Sequence, residues 1–544
     1  MSEVDLVPRP AQLTVHDGQF TITPETPVHA PNPIAELLRE VVGGGTGFPG
    51  GGEGTAEISF IVVEDAQLGA EGYRLRVSAD GIRAEGSDTG LRWAIQTLRQ
   101  LLPAETFGGG APAAGARWPV PCLEIVDRPQ YPWRGSLLDV ARWCHPVKFL
   151  YRYVDLLAMH KLNILHLHLT DDQGWRFEVQ RYPKLTEIGA HRTESHIGHA
   201  RDNRFDSTRH SGWYSQQELR DLVRYAARRG VRIMPEVDVP GHMQAAIAAY
   251  PELGNDPHRK LDVATFWGIS SHILNVADDT VHFVQNVLDE VVDVFPFDVV
   301  HVGGDEVPPD EWMASAAAAD RVRLAELSAV DQLLGWWASQ LSAHLAGYGR
   351  RIGVWDELLD NGVPPGSLVF AWREAHQVAA AQQAGFDVVA APQEFTYFDW
   401  AEAHSPDEPV AIAGVVPLER VYSYQPGEVI GVQGQLWSEY LPTPELVEWR
   451  AFPRLTALSE VGWSPGAREF GEFRERLTGH LRRLDAMGVN YRPPDLEPSQ
   501  DRVPEPPAGA GPDGRPPGSR PPAGDEPPGD EPVPEVPGLI VPGP

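Results

Sequence analysis

The sequence predicts an α/β protein, with a (β/α)8 TIM barrel over residues 129–492 preceded by a small α+β domain over residues 1–128. From Arg134 onwards, short apolar runs alternate with helical segments, a rhythm typical of parallel βαβ units. A doubly wound open sheet is the structural alternative. Eight strands are predicted, beginning near Gly135, Asn163, Val231, Val299, Arg351, Leu368, Phe386 and Ile430.

The residues before Asp127 mix strand and helix signals. Two β-rich stretches, Ala56–Asp65 and Tyr73–Val77, lead to a hairpin turn at Asp80 and Gly81. A helix is predicted from Thr89 to Leu102, where Pro103 ends it. The glycine-rich stretches at residues 43–54 and 108–115 are expected to be loops of this domain.

Within the barrel region, Ser215 to Arg229 is predicted to be one of the helices between strands. Ser215 and Glu218 have the spacing of a capping box, in which each side chain bonds the other residue's backbone N–H. Leu219, Leu222 and Ala226 follow at helical spacing and would form its buried face.

The last 52 residues, 493–544, form a third, compositionally distinct segment. They hold 18 of the 51 prolines, with ten acidic and three basic residues. Such a segment has too little apolar surface to offset the entropy of ordering, so a disordered tail is expected. A role as a ligand for SH3-type domains is the alternative.

Composition excludes several kinds of partner. A formal net charge of −31 predicts that the surface repels nucleic acid and anionic lipid. No apolar run reaches 18 residues, and no leader precedes the first strands, so the sequence as written indicates a cytoplasmic protein, or a secreted one if a leader was removed. Cys122 and Cys144 are expected to be packed thiols. The oligomeric state cannot be read from the sequence.

Reactive groups of a TIM barrel lie at the carboxyl ends of its strands. One such residue alone is usually a helix cap or core packing, but seven polar strand ends together are costly unless function requires them. Indoles offer apolar faces to sugar C–H groups, and carboxylates and arginine bind hydroxyls, so carbohydrate is the predicted substrate class. These ends carry Arg142, His166, His168, Asp171, Glu236, Asp238, His242, His301, Asp305, Glu306, Trp355, Asp356, Glu357, Trp372, Arg373, Trp437 and Glu439.

Asp305 and Glu306 are adjacent, which is unusual for a glycosidase. Glycoside cleavage normally uses two carboxylates across the scissile bond. Side chains of neighbouring extended residues point to opposite sides, so this pair is not expected to flank one glycosidic oxygen. One is predicted to be the acid and the other to have a different task.

At this point the sequence resembles the β-N-acetylhexosaminidases of glycoside hydrolase family 20, over about residues 1–490. The matching motifs are LDVAR (Leu138–Arg142), HLHLTDDQGWR (His166–Arg176), PEVDVPGH (Pro235–His242), HVGGDE (His301–Glu306), VWDE (Val354–Glu357), YFD (Tyr397–Asp399) and LWSE (Leu436–Glu439).

The resemblance implies an exo-acting, retaining enzyme without cofactor or metal, acting on terminal β-linked GlcNAc or GalNAc. Glu306 would be the general acid, Asp305 would bind the acetamido N–H so that its carbonyl attacks C1, and Tyr397 would bond that carbonyl. An oxazolinium intermediate follows. Substrate contacts would come from Arg142, Trp355, Trp372, Asp399, Trp437 and Glu439, with Asp171 and His242 tuning Glu306 and with Asp238 and His301 as supporting residues.

Two departures and two rivals accompany this reading. Phe398 inside the YFD motif is expected to point away from the sugar, and the polar insertion at residues 193–212 is expected to shape the aglycone side. One rival is a metal-dependent hydrolase with His166, His168, His242 and Asp305 as ligands. The other is a sugar-binding protein without turnover.

Overall fold

The computed structural model describes residues 4–48, 57–110, 115–412 and 414–494. Its first part is a six-stranded mixed sheet in the order β1-β6-β4-β5-β3-β2. The predicted hairpin is present as antiparallel β4 and β5, and the predicted helix lies at Asp88–Gln100. The strands are β1 (Gln12–Ile22), β2 (Val28–His29), β3 (Glu57–Val62), β4 (Tyr73–Ser78), β5 (Gly81–Gly86) and β6 (Trp118–Asp127).

The second part is a closed barrel of eight parallel strands, which confirms the predicted fold class and the position of each strand. Closure excludes the open doubly wound sheet. In spatial order the strands run β9-β10-β11-β12-β13-β14-β7-β8. They are β7 (Trp133–Asp139), β8 (Ile164–His168), β9 (Arg232–Glu236), β10 (Val299–His301), β11 (Arg351–Trp355), β12 (Leu368–Ala371), β13 (Asp387–Ala390) and β14 (Gly431–Leu436).

Helices surround the barrel and cover one face of the first sheet. The predicted capping box is confirmed, since the Ser215 hydroxyl accepts from the Glu218 N–H and the Glu218 carboxylate accepts from the Ser215 N–H. The α-helices are α1 (Asn32–Leu38), α2 (Gly44–Thr46), α3 (Asp88–Gln100), α4 (Val147–Met159), α5 (Lys184–Glu187), α6 (Gln216–Arg228), α7 (Gln244–Ala249), α8 (Asp278–Val294), α9 (Asp310–Met313), α10 (Ala316–Leu324), α11 (Leu333–Ala346), α12 (Leu358–Asn361), α13 (Ala375–Gln383), α14 (Gln393–Thr396), α15 (Leu418–Ser423), α16 (Pro444–Ala451), α17 (Arg454–Trp463) and α18 (Phe470–Ala486).

The glycine-rich stretch after residue 43 is only partly a loop. Gly44–Thr46 is helical, because it continues the π-helical turn Arg39–Gly43 and the Thr46 hydroxyl bonds the Val42 carbonyl. Residues 49–56 and 111–114, where the rest of the predicted loops fall, lie outside the described residues, as does the predicted tail beyond residue 494. None of the helices that the structure describes is long and apolar enough to cross a membrane.

A buried polar group joins the sheet to the barrel, and we call it the interface network: Asp127, Lys161, Tyr73 and Trp463. The Lys161 ammonium lies 2.8 Å from Asp127 Oδ2, and the Tyr73 hydroxyl donates to the same oxygen at 2.7 Å. Trp463 Nε1 donates to both oxygens at 2.9 and 3.0 Å. One ion pair surrounded by donors therefore fastens the two parts.

The first described residues bind the last helices. The Leu6 carbonyl accepts from Arg476 and the Asp5 carbonyl from Arg483, both on α18, each at 2.8 Å. The Arg9 N–H donates to Glu460 on α17 at 3.1 Å. This segment, residues 4–10, therefore lies against elements more than 450 positions later in the chain.

Candidate active site

The strand register places one layer of polar side chains at the carboxyl end of the barrel. Asp139 is paired with His168, His168 with Glu236, and Glu236 with His301 on four adjacent strands. Parallel strands in register present these side chains at the same height. All four residues are fully buried, so their polar groups need partners inside the barrel: Glu236 contacts His168 and His301, and Asp139 binds Arg142.

A tight turn after β10 carries the two adjacent carboxylates. Gly303 and Gly304 have φ of 66° and 91°, and a Cβ on Gly303 would lie 1.6 Å from Asp238 Oδ1. Only glycine allows Asp238 to approach here, where its Oδ1 accepts from the Gly304 N–H at 3.1 Å.

The expectation that Asp305 and Glu306 point to opposite sides is wrong. Glu306 has a left-handed backbone with φ of 48°, so the alternation of an extended strand does not apply. Both carboxylates lie beside His242, whose Nε2 is 3.5 Å from Glu306 and 3.8 Å from Asp305. The two carboxylates therefore lie near the same imidazole, and we call the end of the barrel at which they lie the cavity.

His242 and Asp171 form the expected pair behind Glu306. His242 Nδ1 lies 3.2 Å from Asp171 Oδ1 and 3.3 Å from Asp172 Oδ2. Burial alone would lower the pKa of His242, but Asp171 and the other carboxylates outweigh it and raise that pKa well above its usual value. Glu306 thus lies next to a cationic imidazole.

Three carboxylates surround Arg142 at another side of the cavity. Its guanidinium lies 2.9 Å from Asp171, 3.2 Å from Asp139 and 3.9 Å from Glu439, and Nε donates to Gln173 at 3.0 Å. Burial opposes the charge, yet these carboxylates raise the pKa of Arg142. Arg142 and Glu439 therefore lie close together. A guanidinium donor beside a carboxylate acceptor can bind a pair of neighbouring hydroxyl groups.

Aromatic side chains wall the cavity. Trp355 and Trp437 pack with ring centroids 5.9 Å apart, and Trp372 stacks on Tyr397 at 5.7 Å. All four are at most 6% exposed and belong to one apolar cluster. Glu357 fixes Trp372 by accepting from its Nε1 at 2.9 Å. The walls are consequently rigid before any ligand arrives.

Asp238 and Asp305 lie close together, although two ionised carboxylates repel each other. Burial is the largest cause that raises the pKa of Asp238 well above its usual range, and the Asp305 carboxylate raises it further. Burial and Glu306 raise the pKa of Asp305, while His242 lowers it. Asp238 Oδ2 and Asp305 Oδ1 accept no hydrogen bond from a donor group in the described chain, which favours one proton shared between the two carboxyls.

Tyr397 and Asp399 stand on a segment clamped from below by buried arginines. Arg454 donates to the Phe398 carbonyl at 2.6 Å and Arg450 to the Trp400 carbonyl at 3.4 Å. Phe398 is fully buried and its ring lies 5.2 Å from the Arg454 guanidinium, so it points away from the cavity, as predicted. Asp399 is 6% exposed.

The insertion at residues 193–212 binds the side of the cavity that holds Arg142 and Glu439. His210 Nε2 accepts from the Cys144 N–H at 3.1 Å, and the Tyr440 hydroxyl accepts from the Ala200 N–H. Arg192, just before the insertion, donates to the Arg142 carbonyl at 2.5 Å. These contacts place the insertion next to Arg142 and Glu439; its predicted role on the aglycone side stays a prediction.

The histidines of the metal-site rival are engaged with carboxylates at hydrogen-bond distances. His168 Nδ1 lies 2.6 Å from Glu236 and His168 Nε2 lies 2.8 Å from Asp171. Ligand atoms at about 2.1 Å from a tetrahedral zinc ion would be roughly 3.4 Å apart. At His168 the spacing therefore fits direct N–H···O bonds better than a shared cation. Asp238, His242 and Asp305 have ligand atoms within 4.8 Å of one another, so activity in the presence of a chelator tests the alternative for that group.

The structure brings the predicted site residues together. It also gives contacts to two carboxylates, Glu236 and Glu357, for which no role was predicted. Glu236 binds His168, His301 and Trp355, and Glu357 binds Trp372. Both stand at strand ends within quoted motifs. The signal that could have distinguished them is position: each ends a barrel strand or follows one directly, where a charged side chain points into the barrel.

Comparisons with known proteins agree with this geometry. A family model described as "Glycosyl hydrolase family 20, catalytic domain" matches residues 131–466, and one described as "Glycosyl hydrolase family 20, domain 2" matches residues 3–128. A beta-hexosaminidase of Porphyromonas gingivalis is 36% identical over 530 residues, covering 93% of this chain and 66% of that protein. A beta-N-acetylhexosaminidase of Cellulomonas fimi is 31% identical, covering 90% of this chain and 96% of that protein.

Solved structures show the same likeness. The chain superposes on the exo beta-N-acetylglucosaminidase of Vibrio harveyi in complex with N-acetylglucosamine with a TM-score of 0.80, at 32% identity, covering 90% of this chain and 79% of that one. A mutant beta-hexosaminidase of Streptomyces plicatus in complex with product (GlcNAc) gives a TM-score of 0.78 at 29% identity, covering 91% and 98%.

Proposed function

This chain belongs to glycoside hydrolase family 20 and is a glycoside hydrolase of the beta-hexosaminidase type, and from that premise we propose how it works: it removes terminal β-linked N-acetylhexosamines by substrate-assisted catalysis with retention of configuration. The observation that carries the proposal is the pair of adjacent carboxylates, Asp305 and Glu306, in one aromatic-walled cavity beside a single cationic imidazole. Each then takes a separate task.

Glu306 is the proposed general acid and base. In the first step its proton goes to the glycosidic oxygen while the bond from that oxygen to C1 breaks. In the second step Glu306 accepts a proton from water as the water oxygen bonds to C1 and the bond between C1 and the acetamido oxygen breaks, which restores the N-acetyl group. His242 at 3.5 Å stabilises the intervening carboxylate, which is formed only after proton transfer.

Asp305 is the proposed partner of the substrate's acetamido group. Its carboxylate accepts the N–H, the acetamido carbonyl oxygen bonds to C1, and an oxazolinium ion forms as the leaving group departs. A carboxylate whose pKa is raised by burial and neighbouring anions gains most from a cation that appears in the transition state. Tyr397 donates its hydroxyl hydrogen to the same carbonyl oxygen and holds it in line.

The remaining predicted residues define the sugar. Arg142 and Glu439 would hold the O3 and O4 hydroxyls, and Asp399 would hold O6. Trp355, Trp372 and Trp437 would enclose the ring and the N-acetyl group. Such contacts would accept only a terminal sugar, so exo action is expected.

The test is hydrolysis of 4-nitrophenyl N-acetyl-β-glucosaminide against 4-nitrophenyl β-glucoside, both with EDTA. We expect turnover of the first substrate only, because the second lacks the acetamido nucleophile. A matched N-acetyl-β-galactosaminide measures preference at C4. Equal turnover of glucoside and glucosaminide would contradict substrate assistance, and loss of all turnover in EDTA would restore the metal-dependent alternative.

A thiazoline analogue of the oxazolinium gives an independent check. The analogue places a cation-like ring against Asp305 and Tyr397, so strong competitive inhibition is expected. An analogue that binds no better than N-acetylglucosamine itself would remove the proposed roles of these two residues.

A further inference from the structure

Glu236 lies at the centre of the barrel and gathers four aromatic nitrogens. Its Oε1 lies 2.7 Å from His301 Nδ1 and 3.0 Å from Trp355 Nε1. Its Oε2 lies 2.6 Å from His168 Nδ1 and 3.1 Å from His166 Nε2. A carboxylate has about four acceptor positions, and this completely buried one has four ring nitrogens within 3.1 Å, of which His168 Nδ1 and Trp355 Nε1 form hydrogen bonds with it.

The contacts of His168 fix its charge. Nδ1 faces Glu236 at 2.6 Å and Nε2 faces Asp171 at 2.8 Å. An ionised carboxylate only accepts hydrogen bonds, so both ring nitrogens carry hydrogen and the ring is an imidazolium. Burial works against that charge, but Glu236 and Asp171 together raise the pKa of His168 well above its usual value.

Asp171 connects His168 to His242, which lies at the cavity. Its Oδ2 takes the His168 N–H and its Oδ1 takes the Nδ1 hydrogen of His242. His242 Nε2 then lies 3.5 Å from Glu306. Glu236, His168, Asp171, His242 and Glu306 thus form a continuous row in which carboxylates and imidazoles alternate.

We propose that Glu236 is a positioning residue for the acid Glu306, acting through His168, Asp171 and His242, which together with it form one electrostatic unit. This inference rests on the proposed function, since it needs Glu306 to be the proton donor. We call the five residues the carboxylate–histidine row. Glu236 also orients the Trp355 indole, because it accepts a hydrogen bond from Trp355 Nε1. One buried carboxylate therefore positions both the acid Glu306 and an aromatic side chain of the cavity.

Other charged groups surround the row and must remain unchanged in its test. Glu236 is faced by His166 and His301 from the neighbouring strands, and within its own segment by Asp238. Asp171 also binds Arg142, and His242 also faces Asp172 and Asp305. Because Arg142 keeps Asp171 ionised, neutralising Glu236 acts mainly on His168.

The experiment is the pH dependence of kcat and kcat/KM for Glu236→Gln on 4-nitrophenyl N-acetyl-β-glucosaminide. Without the anion, His168 loses its second proton, and the positive charge nearest to Asp171 disappears. Glu306 then keeps its proton to higher pH, so the alkaline limb of kcat/KM moves to higher pH. We expect kcat to fall roughly 3- to 30-fold.

Glu460→Gln is the matched control. Glu460 is also a buried carboxylate, paired with Arg476 at 2.6 Å, but it lies on α17 away from the cavity. Its replacement should lower the melting temperature and leave the pH profile of each folded molecule unchanged. If Glu236→Gln does not fold, His168→Gln breaks the row one residue further along and should give the same upward shift.

The outcomes separate the two proposals. A wild-type enzyme that releases no nitrophenol overturns the proposed function and the row with it. An active wild type together with a folded Glu236→Gln enzyme of unchanged pH profile overturns only the positioning role. A shifted profile that is not shifted further when His168→Gln is added supports the row, because the second change removes the member that Glu236→Gln has already disconnected.

Discussion

Two buried charged groups of this protein are built in opposite ways. In the interface network, Asp127 is matched by one ammonium, and its oxygens receive hydrogens from Lys161, Tyr73 and Trp463. In the active-site cavity, Asp238, Asp305 and Glu357 crowd together, and burial and mutual repulsion raise the pKa of each. The first arrangement holds two parts together, whereas the second stores repulsion that the proposed cationic intermediate would relieve.

The contrast gives a rule for reading buried charge in this chain. Where every carboxylate oxygen has a donor and the group lies away from the cavity, replacement should cost stability and leave chemistry unchanged. Where carboxylates face one another, replacement should cost activity and leave stability unchanged or higher. Four substitutions test the rule from its largest effect to its smallest.

Glu306→Gln should give the largest effect. It removes the only proton that the mechanism delivers to the leaving oxygen, so kcat should fall about 10² to 10⁴-fold. The fold should be unaffected, since the side chain lies at the cavity and keeps its shape. Steady-state assay beside a thermal melt measures both, and a variant with more than a tenth of wild-type kcat would contradict the assignment.

Asp305→Asn should follow, with a loss in kcat of about 10² to 10³-fold. The amide can still meet the acetamido group but supplies no charge to the oxazolinium. KM should change much less than kcat, because the missing interaction develops in the transition state. Unaltered kcat would remove Asp305 from the mechanism.

Lys161→Met tests the other region. It leaves Asp127 buried without its cation, which should lower the free energy of unfolding by about 3 to 5 kcal/mol. kcat per folded molecule should equal that of wild type. The double variant Lys161→Met with Asp127→Asn should recover part of the lost free energy of unfolding, measured by urea unfolding. A double variant less stable than both single variants would contradict the stabilising role of the Lys161–Asp127 ion pair.

Asp238→Asn should give the smallest effect and the opposite sign in stability. The pKa of Asp238 is raised in the folded state above the ordinary aspartate value of 3.8, so the native protein holds a proton that the unfolded chain releases. Stability is therefore lost as pH rises above 3.8, and the variant avoids that loss. We expect it to be more stable than wild type by about 0.5 to 2 kcal/mol at neutral pH, and the gap should close below pH 4. Melting curves across pH measure this difference, and a gap that widens on acidification would be contrary to the shared proton.

Much of this could be predicted from the sequence, for reasons that particular residues show. The eight strands follow from local apolar runs, and the cap at Ser215 needs only Glu218 three residues later. The left-handed backbone at Glu306 has no such local signal, because it is imposed by the approach of Asp238 to Gly303. Glu236 was likewise not predicted as a centre, since its contacts depend on the stagger of β8, β9, β10 and β11.

The segment at residues 4–10 has a consequence for the order of events during synthesis. It leaves the ribosome more than 450 positions before its partners Glu460, Arg476 and Arg483 are made. The segment must therefore stay unbound by α17 and α18 until the whole barrel between them has been synthesised. Its docking follows barrel synthesis rather than preceding it.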